Sequence, residues 1–477
     1  MLSVAWQDRL PVLAGERAVN DFVGERMIDT SKTIGWTGLF VACLLACGPA
    51  PKGGSDGGGG SGGTNCTLPG TIGANMELTT ACPVWHIASS GTTVEGSGNP
   101  VLTIDKGVTI AIDKGGFLSI GTGTGSGTAQ PGGIQAVGTA SAPITFTSSA
   151  AIPAAGDWSA VVLADDVLAG STIAFAKFEF GGGGSPSDGY SYDEPPAELI
   201  VYGGTNSVPV LLHDLEFAHT GGNGLVYDNF KAGFATGSAN LKVDDVATGD
   251  EPFVVAANQA STIPTSISGP AGTAVDLILG QGYTQGGTGG TAVVAVTQTW
   301  PALPLPYLAD GNVKGSGSGL QIEGANNSTA TLTIAAPNTI QFMSGGSLTL
   351  DPDGTGQAVL LAIGTPAAPI VFTSNLPSPS PGAWDDLILN APSGGGGQLG
   401  ATTLQGVKIQ YAGSGGQAIN LLADTGGSAG PVISGCAIED YPATSCGIEV
   451  SHFITPPTGG YDTPVNSFSG SSTVCTP

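Results

Sequence analysis

The residues best suited to catalysis lie around two histidines. His213 and Asp214 are adjacent, His219 follows six positions later, and Asp228 lies in the next apolar segment. An aspartate beside a histidine can orient the imidazole to act as a general base. In the second sequence copy described below, the corresponding residues 434–436 read Ser-Gly-Cys and include no histidine. We therefore favour a turn between two strands at His213 and Asp214, and we keep His213, Asp214 and Asp228 as weak catalytic candidates.

Acidic pairs occur at residues 165–166, 244–245 and 385–386. Adjacent residues on a strand point to opposite faces, so such a pair is not by itself a catalytic dyad. We expect the first two pairs to lie in solvated turns at the ends of strands.

Asp351 and Asp353 lie in the segment Asp-Pro-Asp-Gly-Thr-Gly, which looks like the start of a calcium-binding loop. The ligands expected at positions 5, 7 and 12 of such a loop are not evident. We expect at most a weak calcium site here and no other cofactor. The glycine runs 181–184 and 394–397 lack the lysine and the hydroxyl residue of a phosphate-binding loop.

Two tryptophans are candidates for glycan binding. Trp158 and Trp384 lie in the similar segments GDWSAVVL and GAWDDLIL, at an offset of 226 residues. The flat face of an indole suits a sugar ring. Each tryptophan leads directly into an apolar run, so packing in the core is the favoured alternative.

The composition excludes several classes of protein. Glycine contributes 79 and proline 33 of the 477 residues, which disfavours helices, because glycine costs about 1 kcal/mol relative to alanine in a helix. Hydrophobic residues make up 40% of the chain, so a core can be buried. The 37 acidic and 12 basic residues give a net charge of −25, and all three arginines precede residue 27. Nucleic acid is therefore not an expected partner, whereas a metal cation or a neutral glycan suits such a surface.

The N-terminal region has the pattern of an export signal. An apolar run over residues 34–46 is too short to span a membrane and has the length found in signal peptides. Met27 makes a better start for this signal than Met1, because residues 1–26 contain four acidic side chains.

The apolar run ends in Leu-Leu-Ala-Cys-Gly, which resembles the lipobox of bacterial lipoproteins. The resemblance implies that Cys47 becomes the mature N-terminus and carries acyl chains, which anchor the protein to a lipid bilayer. We expect an exported, lipid-anchored protein at the outer membrane or the cell surface. Residues 49–65 are rich in glycine and serine and predict a flexible tether.

Exported chains can form disulfides. Five cysteines follow the lipobox, and proximity in the sequence favours the pairs Cys66–Cys82 and Cys436–Cys446, which leaves Cys475 without a partner. The sequence alone does not determine the connectivity.

A long internal duplication organises the rest of the chain. Residues 136–148 read AVGTASAPITFTS and match AIGTPAAPIVFTS at 362–374, an offset of 226. Residues 172–180 match 403–411 at an offset of 231. Small changes in the offset indicate insertions in loops between strands of fixed position.

Short apolar runs predict strands joined by glycine turns. In TIAFAKFEF, residues 172–180, Lys177 and Glu179 share one face while Phe178 and Phe180 share the other, which predicts a half-buried strand. The duplicated unit is too long to be one coil of a solenoid, and we interpret it as several coils of a β-solenoid copied together. An immunoglobulin-like array is the alternative, but it would repeat at about 100 residues.

A family resemblance supports a solenoid. The segments LTIDKGVTIAIDKGGFLSI, IQAVGTASAPITFTSS, GDWSAVVL and STIAFAKFEFGG resemble bacterial exported proteins with right-handed parallel β-helix repeats. The resemblance covers about 83–228 and about 304–453. It implies a fold and little about activity, because most such proteins are uncharacterised. β-Helix lyases commonly use an arginine and β-helix hydrolases carry GHG and RIK motifs, none of which follows Cys47.

We therefore expect an all-β protein whose body is a single-stranded, right-handed parallel β-helix, after an N-terminal signal and a flexible tether. We expect one continuous helix rather than separate domains. The expected segments are the upstream extension and signal at 1–46, the lipidated cysteine and tether at 47–65, an N-terminal cap at 66–80, the first copy at 81–230, connecting coils at 231–303, the second copy at 304–455 and a C-terminal tail at 456–477.

The expected function is that of a cell-envelope binding or structural module for adhesion, matrix contact or glycan contact. The expected partners are the lipid bilayer and a glycan or cell-surface protein, and we expect a monomer. The alternative is a carbohydrate-active enzyme, such as a polysaccharide lyase, hydrolase or epimerase. An enzyme of that kind should carry a cluster of polar and basic residues on one face, and basic residues are scarce after Cys47.

Replacing Cys47 with serine tests the lipid anchor. Cys47→Ser should move the protein from the detergent phase to the aqueous phase of a cloud-point separation, because acyl chains contribute about 0.8 kcal/mol per buried CH₂. Incorporation of a radioactive fatty acid should be lost as well, while a Cys436→Ser control should keep both properties. Continued partition of Cys47→Ser into detergent would contradict lipidation.

Overall fold

The computed structural model describes residues 66–476 apart from short internal gaps. The gaps are 123–129, 185–194, 205–206, 230, 279–291, 312–318, 325–327, 351–356, 392–398, 424–427, 463 and 471. The expected signal, Cys47 and the tether lie outside the described residues.

The described chain is built from short β-strands, numbered β1 to β38 in chain order, and two 3-10 helices at Ala257–Thr262 and Leu399–Ala401. All pairings between these strands are parallel. Parallel neighbours require a crossover connection, and here each crossover contains strands of the other sheets. The arrangement is all-β and consistent with a parallel β-solenoid.

One sheet, the long sheet, runs through nearly the whole described chain. Its 14 strands are β1 (Thr71–Ile72), β4 (Thr92–Val94), β7 (Leu118–Ile120), β10 (Val161–Leu163), β12 (Ala197–Gly203), β14 (Asn223–Asn229), β16 (Phe253–Ala256), β18 (Val275–Ile278), β21 (Tyr307–Gly311), β24 (Asn338–Phe342), β27 (Ile370–Ser374), β30 (Val407–Gln410), β34 (Ala437–Glu439) and β37 (Ser467–Phe468). They pair in chain order, so early and late segments form one continuous face.

A ten-stranded sheet covers the first half of the described residues. Its strands are β2 (Met76–Leu78), β3 (Trp85–Ile87), β5 (Val101–Ile104), β6 (Thr109–Ile112), β8 (Gly133–Val137), β9 (Ile144–Ser148), β11 (Thr172–Glu179), β13 (Leu211–Ala218), β15 (Ala239–Val243) and β17 (Ile267–Ser268). Two rows of short strands merge in β11, which pairs with β8 through its N-terminal half and with β9 through its C-terminal half.

Smaller sheets cover the second half. A seven-stranded sheet contains β19 (Ala292–Val294), β22 (Leu320–Ile322), β25 (Leu348–Leu350), β28 (Leu387–Ala391), β31 (Gln417–Ala423), β35 (Cys446–Val450) and β38 (Val474–Cys475). A five-stranded sheet contains β20 (Gln298–Trp300), β23 (Thr329–Ile334), β26 (Gln357–Ile363), β29 (Thr403–Gln405) and β33 (Val432–Ser434), and β32 (Ser428–Ala429) pairs with β36 (Ile454–Thr455). The segment expected to be a C-terminal tail thus contributes strands to two sheets.

Apolar side chains fill the interior in stacks that run from coil to coil. Paired strands lie about 4.8 Å apart. The rings of Phe146, Phe178 and Phe217, on three neighbouring strands, stack with centroids 4.8 and 5.0 Å apart. All three side chains are fully buried. Each coil buries its apolar side chains largely against the coils beside it, so the coils stabilise one another as a stack.

The two tryptophans hold equivalent corners of the two copies. Trp158 Nε1 donates a hydrogen bond to the carbonyl oxygen of Glu179 at 2.8 Å, and Trp384 Nε1 donates to that of Gln410 at 2.8 Å. The two acceptors are themselves 231 residues apart, the offset of this part of the duplication. Both indoles are fully buried. The expected packing in the core is therefore confirmed, and neither ring exposes a face on which a sugar could stack.

The two copies are displaced by one sheet around the solenoid. The equivalent strands β7 and β25 lie in the long sheet and the seven-stranded sheet, respectively, whereas β9 and β27 lie in the ten-stranded sheet and the long sheet. The long sheet therefore continues through both copies but collects different strands in each. The long sheet changes from one series of strands to the other between β18 and β21. Up to β18, which pairs with β16, its strands belong to the first series, and from β21, which pairs with β24, they belong to the second.

A disulfide lies near each end of the described chain. Cys66 is bonded to Cys82, as expected, but the second disulfide joins Cys446 to Cys475, so the expected Cys436–Cys446 pair is wrong. Cys446 begins β35, whose partner strand β38 contains Cys475. Cys436 precedes β34 of the long sheet, where its buried thiol donates to the carbonyl oxygen of Leu404 at 3.3 Å. Sheet membership, and not separation along the chain, decided the pairing.

Among the residues described, the helical segments are too short to traverse a lipid bilayer.

The C-terminal disulfide should hold the last strands in place. Cys475→Ser opens a cross-link spanning 29 residues, so it should lower the free energy of unfolding by about 3–4 kcal/mol, measured by urea unfolding. Peptide mapping without reductant should recover Cys446 linked to Cys475 from the wild type and from a Cys436→Ala control. A peptide linking Cys436 to Cys446 would contradict the connectivity.

Candidate functional site

His213 and Asp214 lie within β13 of the ten-stranded sheet. His213 Nδ1 is 2.8 Å from Asp214 Oδ2, and the imidazole packs edge-on against the ring of Phe175 with centroids 5.3 Å apart. The expected turn is therefore a bend inside one strand, because Asp214 has a left-handed φ of 55°. The hydrogen bond from His213, and a second from Asn240, lower the pKa of the Asp214 carboxyl from its ordinary value.

Asp214 belongs to a regular array of side chains on four neighbouring strands, which we call the polar grid. From β11 through β13 and β15 to β17 and its preceding residue, one row holds Phe175, Asp214, Asn240 and Ser266, and the other holds Lys177, Glu216, Lys242 and Ser268. The grid borders two shallow depressions of about 500 and 140 Å³ that share Asp214 and Glu216. Hydrogen-bonding groups therefore repeat at the strand spacing of about 4.8 Å.

The second row of the grid alternates in charge. Glu216 lies 3.0 Å from the ammonium group of Lys177 and 3.5 Å from that of Lys242, which also contacts Asp244 at 2.8 Å. The hydrogen bond to Asp244 is the main cause of the raised pKa of Lys242. These side chains are 34–53% exposed. Pairs this exposed contribute little to stability, and their polar atoms remain accessible to a ligand.

The second copy keeps the backbone of the grid without its side chains. Phe175 has a φ of 48°, and its counterpart is Gly406 with a φ of 59°. On the next coil, Asp214 corresponds to Gly435, whose φ is 63°. Glycine adopts this left-handed conformation without strain, whereas most residues with a Cβ atom pay roughly 1–2 kcal/mol, and Asp and Asn tolerate it best among them. The first copy therefore keeps side chains where the backbone favours glycine.

His219 lies at a second corner, directly after β13. Its Nδ1 is 3.4 Å from Asp245 Oδ2, and its ring stacks on that of Phe180 with centroids 4.8 Å apart. The expected burial of Phe178 is confirmed, but its expected sharing of that face with Phe180 is wrong. Phe180 has a φ of 67°, and a left-handed residue ends the two-residue alternation of a strand.

Asp228 does not join the two histidines in one sheet. It lies on β14 of the long sheet and is 1% exposed, while His213 belongs to the ten-stranded sheet. The structure therefore brings Asp214 to His213 but places the third catalytic candidate elsewhere.

A second site lies where the connecting coils meet the second copy, and we call it the junction cavity. Its volume is about 220 Å³, and it is lined by Gly249, Glu251, Asp276, Leu308, Asp310, Met343 and Asn375. None of the three acidic residues belongs to a motif recognised in the sequence. The available signal is a charge inside an apolar strand, since Asp276 interrupts the run Ala-Val-Asp-Leu-Ile-Leu and strands of buried parallel sheets are otherwise nearly all apolar.

A β-bulge forms the acidic side of the cavity. Leu277 pairs with Ala309 and Ile278 pairs with Gly311, so Asp310 is an extra residue in β21. Bulges redirect side chains and are frequent beside functional sites. The bulge coincides with the point where the long sheet passes from the first series of strands to the second.

Burial raises the pKa of two carboxyl groups in this cavity. It raises the pKa of Glu251 to about 7, although the backbone N–H of Ala274 donates to Glu251 Oε2 at 2.6 Å. Burial also raises the pKa of Asp276, and the neighbouring carboxyls of Asp310 and Glu251 add to the rise. Asp276 and Asp310 are only 1% and 2% exposed.

The remaining acidic residues singled out in the sequence are not placed in a metal site by the described part of the chain. Within the described ranges, no group of three or more histidine, cysteine, aspartate and glutamate side chains is placed to hold a metal ion. Asp351 and Asp353, the expected weak calcium ligands, lie outside those ranges. Asp165 is fully buried rather than in a solvated turn, because its Oδ1 accepts hydrogen bonds from Gly204 N at 2.6 Å and Ser207 Oγ at 2.9 Å.

Comparison with known proteins adds no relative. No family model, curated protein or solved structure matches this chain. The function is therefore inferred from the polar grid and the junction cavity themselves.

The raised pKa of Glu251 predicts a pH-dependent stability. Between pH 4.5 and about 7 the unfolded chain has lost the Glu251 proton while the folded chain retains it. The free energy of unfolding should therefore fall as pH rises through this window, by up to about 3 kcal/mol from this residue. Glu251→Gln should remove that contribution and flatten the profile in urea unfolding. The exposed control Glu77→Gln should keep it, and equal slopes in wild type and Glu251→Gln would contradict the assignment.

Proposed function

We propose that this protein is an exported, lipid-anchored module of the bacterial cell envelope that binds a neutral glycan through the polar grid. Its body would be a single-stranded, right-handed parallel β-helix, held away from the lipid by the glycine- and serine-rich tether after Cys47. The parallel sheets support a solenoid, and the lipobox resemblance supports the anchor.

The observation that carries the proposal is the retention of side chains at left-handed positions. Phe175, Asp214 and Asn240 have φ values of 48°, 55° and 54° on three successive strands. The second copy has glycine at the positions of the first two. Glycine satisfies stacking at these two positions of the second copy, and this difference between the copies supports a use for the side chains of the grid beyond the fold.

The chemistry of the grid suits a polyhydroxyl ligand. Carboxylate, amide and hydroxyl groups in Asp214, Asn240, Ser266 and Ser268 offer both acceptors and donors. Phe175 adds an apolar ring at one end of its row, and the flat face of an aromatic ring suits a sugar ring. The lysines are already paired with acids, and the net charge of −25 disfavours an acidic polysaccharide.

The test is native affinity electrophoresis in gels that contain dextran, mannan, xylan or a soluble β-glucan. At least one of these should retard the wild type. The double variant Asp214→Gly, Asn240→Gly should bind that polysaccharide at least tenfold more weakly, because it removes two hydrogen-bonding groups and leaves a backbone that glycine accepts without strain. Its thermal stability should be preserved for the same reason.

Asp440→Gly is the matched control. Asp440 also has a left-handed φ, 56°, but lies at a corner of the second copy, outside the grid. The control removes the same type of charge and relaxes the same type of backbone, so it should be retarded like the wild type. Equal retardation of the double variant would contradict the grid as the site. Release of reducing ends or unsaturated products from any of these polysaccharides would favour a carbohydrate-active enzyme instead.

A further inference from the structure

The junction cavity is lined by hydrogen-bond acceptors that lack donors. Asp276 Oδ1 is buried and accepts no hydrogen bond, and the same is true of Asn375 Oδ1. The amide nitrogen of Asn375 donates to the Met343 sulfur at 2.8 Å. The amide oxygen is therefore the group of Asn375 that still lacks a hydrogen-bond partner. Buried acceptors are almost always satisfied in folded proteins. Two orphaned acceptors in one cavity therefore point to a missing donor.

The unsatisfied Asp276 Oδ1 points to a ligand independently of the number of acidic residues that line the cavity. The side chain is only 1% exposed, and no described protein group donates a hydrogen bond to its Oδ1. It lies on β18 between Val254 and Leu308, its partners on the flanking strands. The side chains of both partners are apolar and donate no hydrogen bond, whereas the backbone N–H of Leu277 donates to the Asp276 carboxyl. A carboxylate left in this state costs several kcal/mol in proteins, unless a proton or a cation compensates it.

The shape of the cavity favours a polyatomic cation over a metal ion. A volume of about 220 Å³ is far larger than a coordinated ion occupies, and Leu308 and Met343 give it an apolar wall. Metal sites require several ligands within about 2.0–2.6 Å of one point, and the described acidic residues form no such group. A protonated amine matches both halves of the cavity, since its N–H groups need acceptors and its carbon skeleton needs apolar contacts.

We propose that the junction cavity binds a small organic ammonium ion, a protonated primary amine on a compact carbon skeleton. The ammonium group donates hydrogen bonds to Asp276 Oδ1 and Asn375 Oδ1, beside the carboxyls of Glu251 and Asp310. The carbon skeleton contacts Leu308 and Met343. This site is separate from the polar grid, and its ligand is not the glycan proposed there.

Binding of the amine requires protons to leave the cavity. The charged groups that face Asp276 are Glu251 and Asp310, and Asp250 acts on Glu251. Among the described residues of the elements packed against β18, namely β16, β19, β21 and the 3-10 helix 257–262, Tyr307 is the other titratable group. None of the described residues that line the cavity is a lysine. Since all the facing groups are acids with raised pKa or buried carboxyls, affinity should rise with pH.

The experiment measures binding of cyclohexylamine to the full chain by calorimetry in phosphate buffer, which contains no competing amine. Cyclohexanol, its neutral counterpart of similar size, is the ligand control. Cyclohexylamine should bind and raise the melting temperature, with affinity at least tenfold higher at pH 8 than at pH 5.5. Cyclohexanol should produce no detectable binding at the same concentrations.

Asp276→Asn is the decisive variant. It keeps the size of the side chain but removes the charge, so it should lose at least tenfold in affinity for cyclohexylamine while melting at or above the wild-type temperature without ligand. Glu251→Gln provides a second variant with a side chain that is less buried, and it should also weaken binding. The exposed Glu77→Gln substitution should leave binding unchanged.

Four results would overturn the proposal. They are no binding of cyclohexylamine to the wild type, equal binding of cyclohexanol, undiminished binding in both cavity variants, and stabilisation by calcium chloride alone that Asp276→Asn abolishes. The last result would reassign the cavity to a metal ion. None of these outcomes depends on whether a polysaccharide binds the polar grid.

Discussion

In-register stacking of parallel strands is the constraint on which this structure depends. A side chain on one coil faces the residue at the same position on the next coil, about 4.8 Å away. Inside the solenoid, identical side chains satisfy this rule well, as Phe146, Phe178 and Phe217 show. Outside, the same rule forbids rows of like charge, and the order Lys177, Glu216, Lys242 meets it by alternation.

The junction between the copies is where this rule is hardest to keep. The long sheet passes there from one series of strands to another, and a bulge at Asp310 takes up the difference in register. Asp310 then lies near Asp276 and Glu251, and three carboxyl groups line one cavity whose described lining includes no lysine or arginine. The raised pKa values of Glu251 and Asp276 are the direct consequence, because burial and mutual repulsion both favour the neutral form.

Local sequence patterns predicted the local features of the fold. The alternation in residues 172–180 predicted β11, and the match of Trp158 with Trp384 anticipated two equivalent buried corners. Features set by register across coils were not visible in the same way. Cys436 and Cys446 are close in the chain but belong to different sheets, and Asp310 becomes a bulge only through its pairing with β18. Register around a coil depends on the summed lengths of several loops, which no local window contains.

The distinction between residues that follow the register and residues that depart from it also indicates where function is found in such a fold. A residue that continues a ladder is explained by stacking, whether it is a buried phenylalanine or an alternating charge. Stacking does not explain a residue that departs from the ladder at an energetic cost. Phe175 and Asp214 hold left-handed conformations that their counterparts leave to glycine, and Asp276 buries an unsatisfied oxygen where the sheet expects an apolar side chain. A glycine or an apolar residue at these positions would stabilise the coil, so stacking does not explain the residues that are present. The strained row of the polar grid and the orphaned acceptors of the junction cavity are therefore stronger indications of ligands than the histidines and tryptophans that stand out in the sequence.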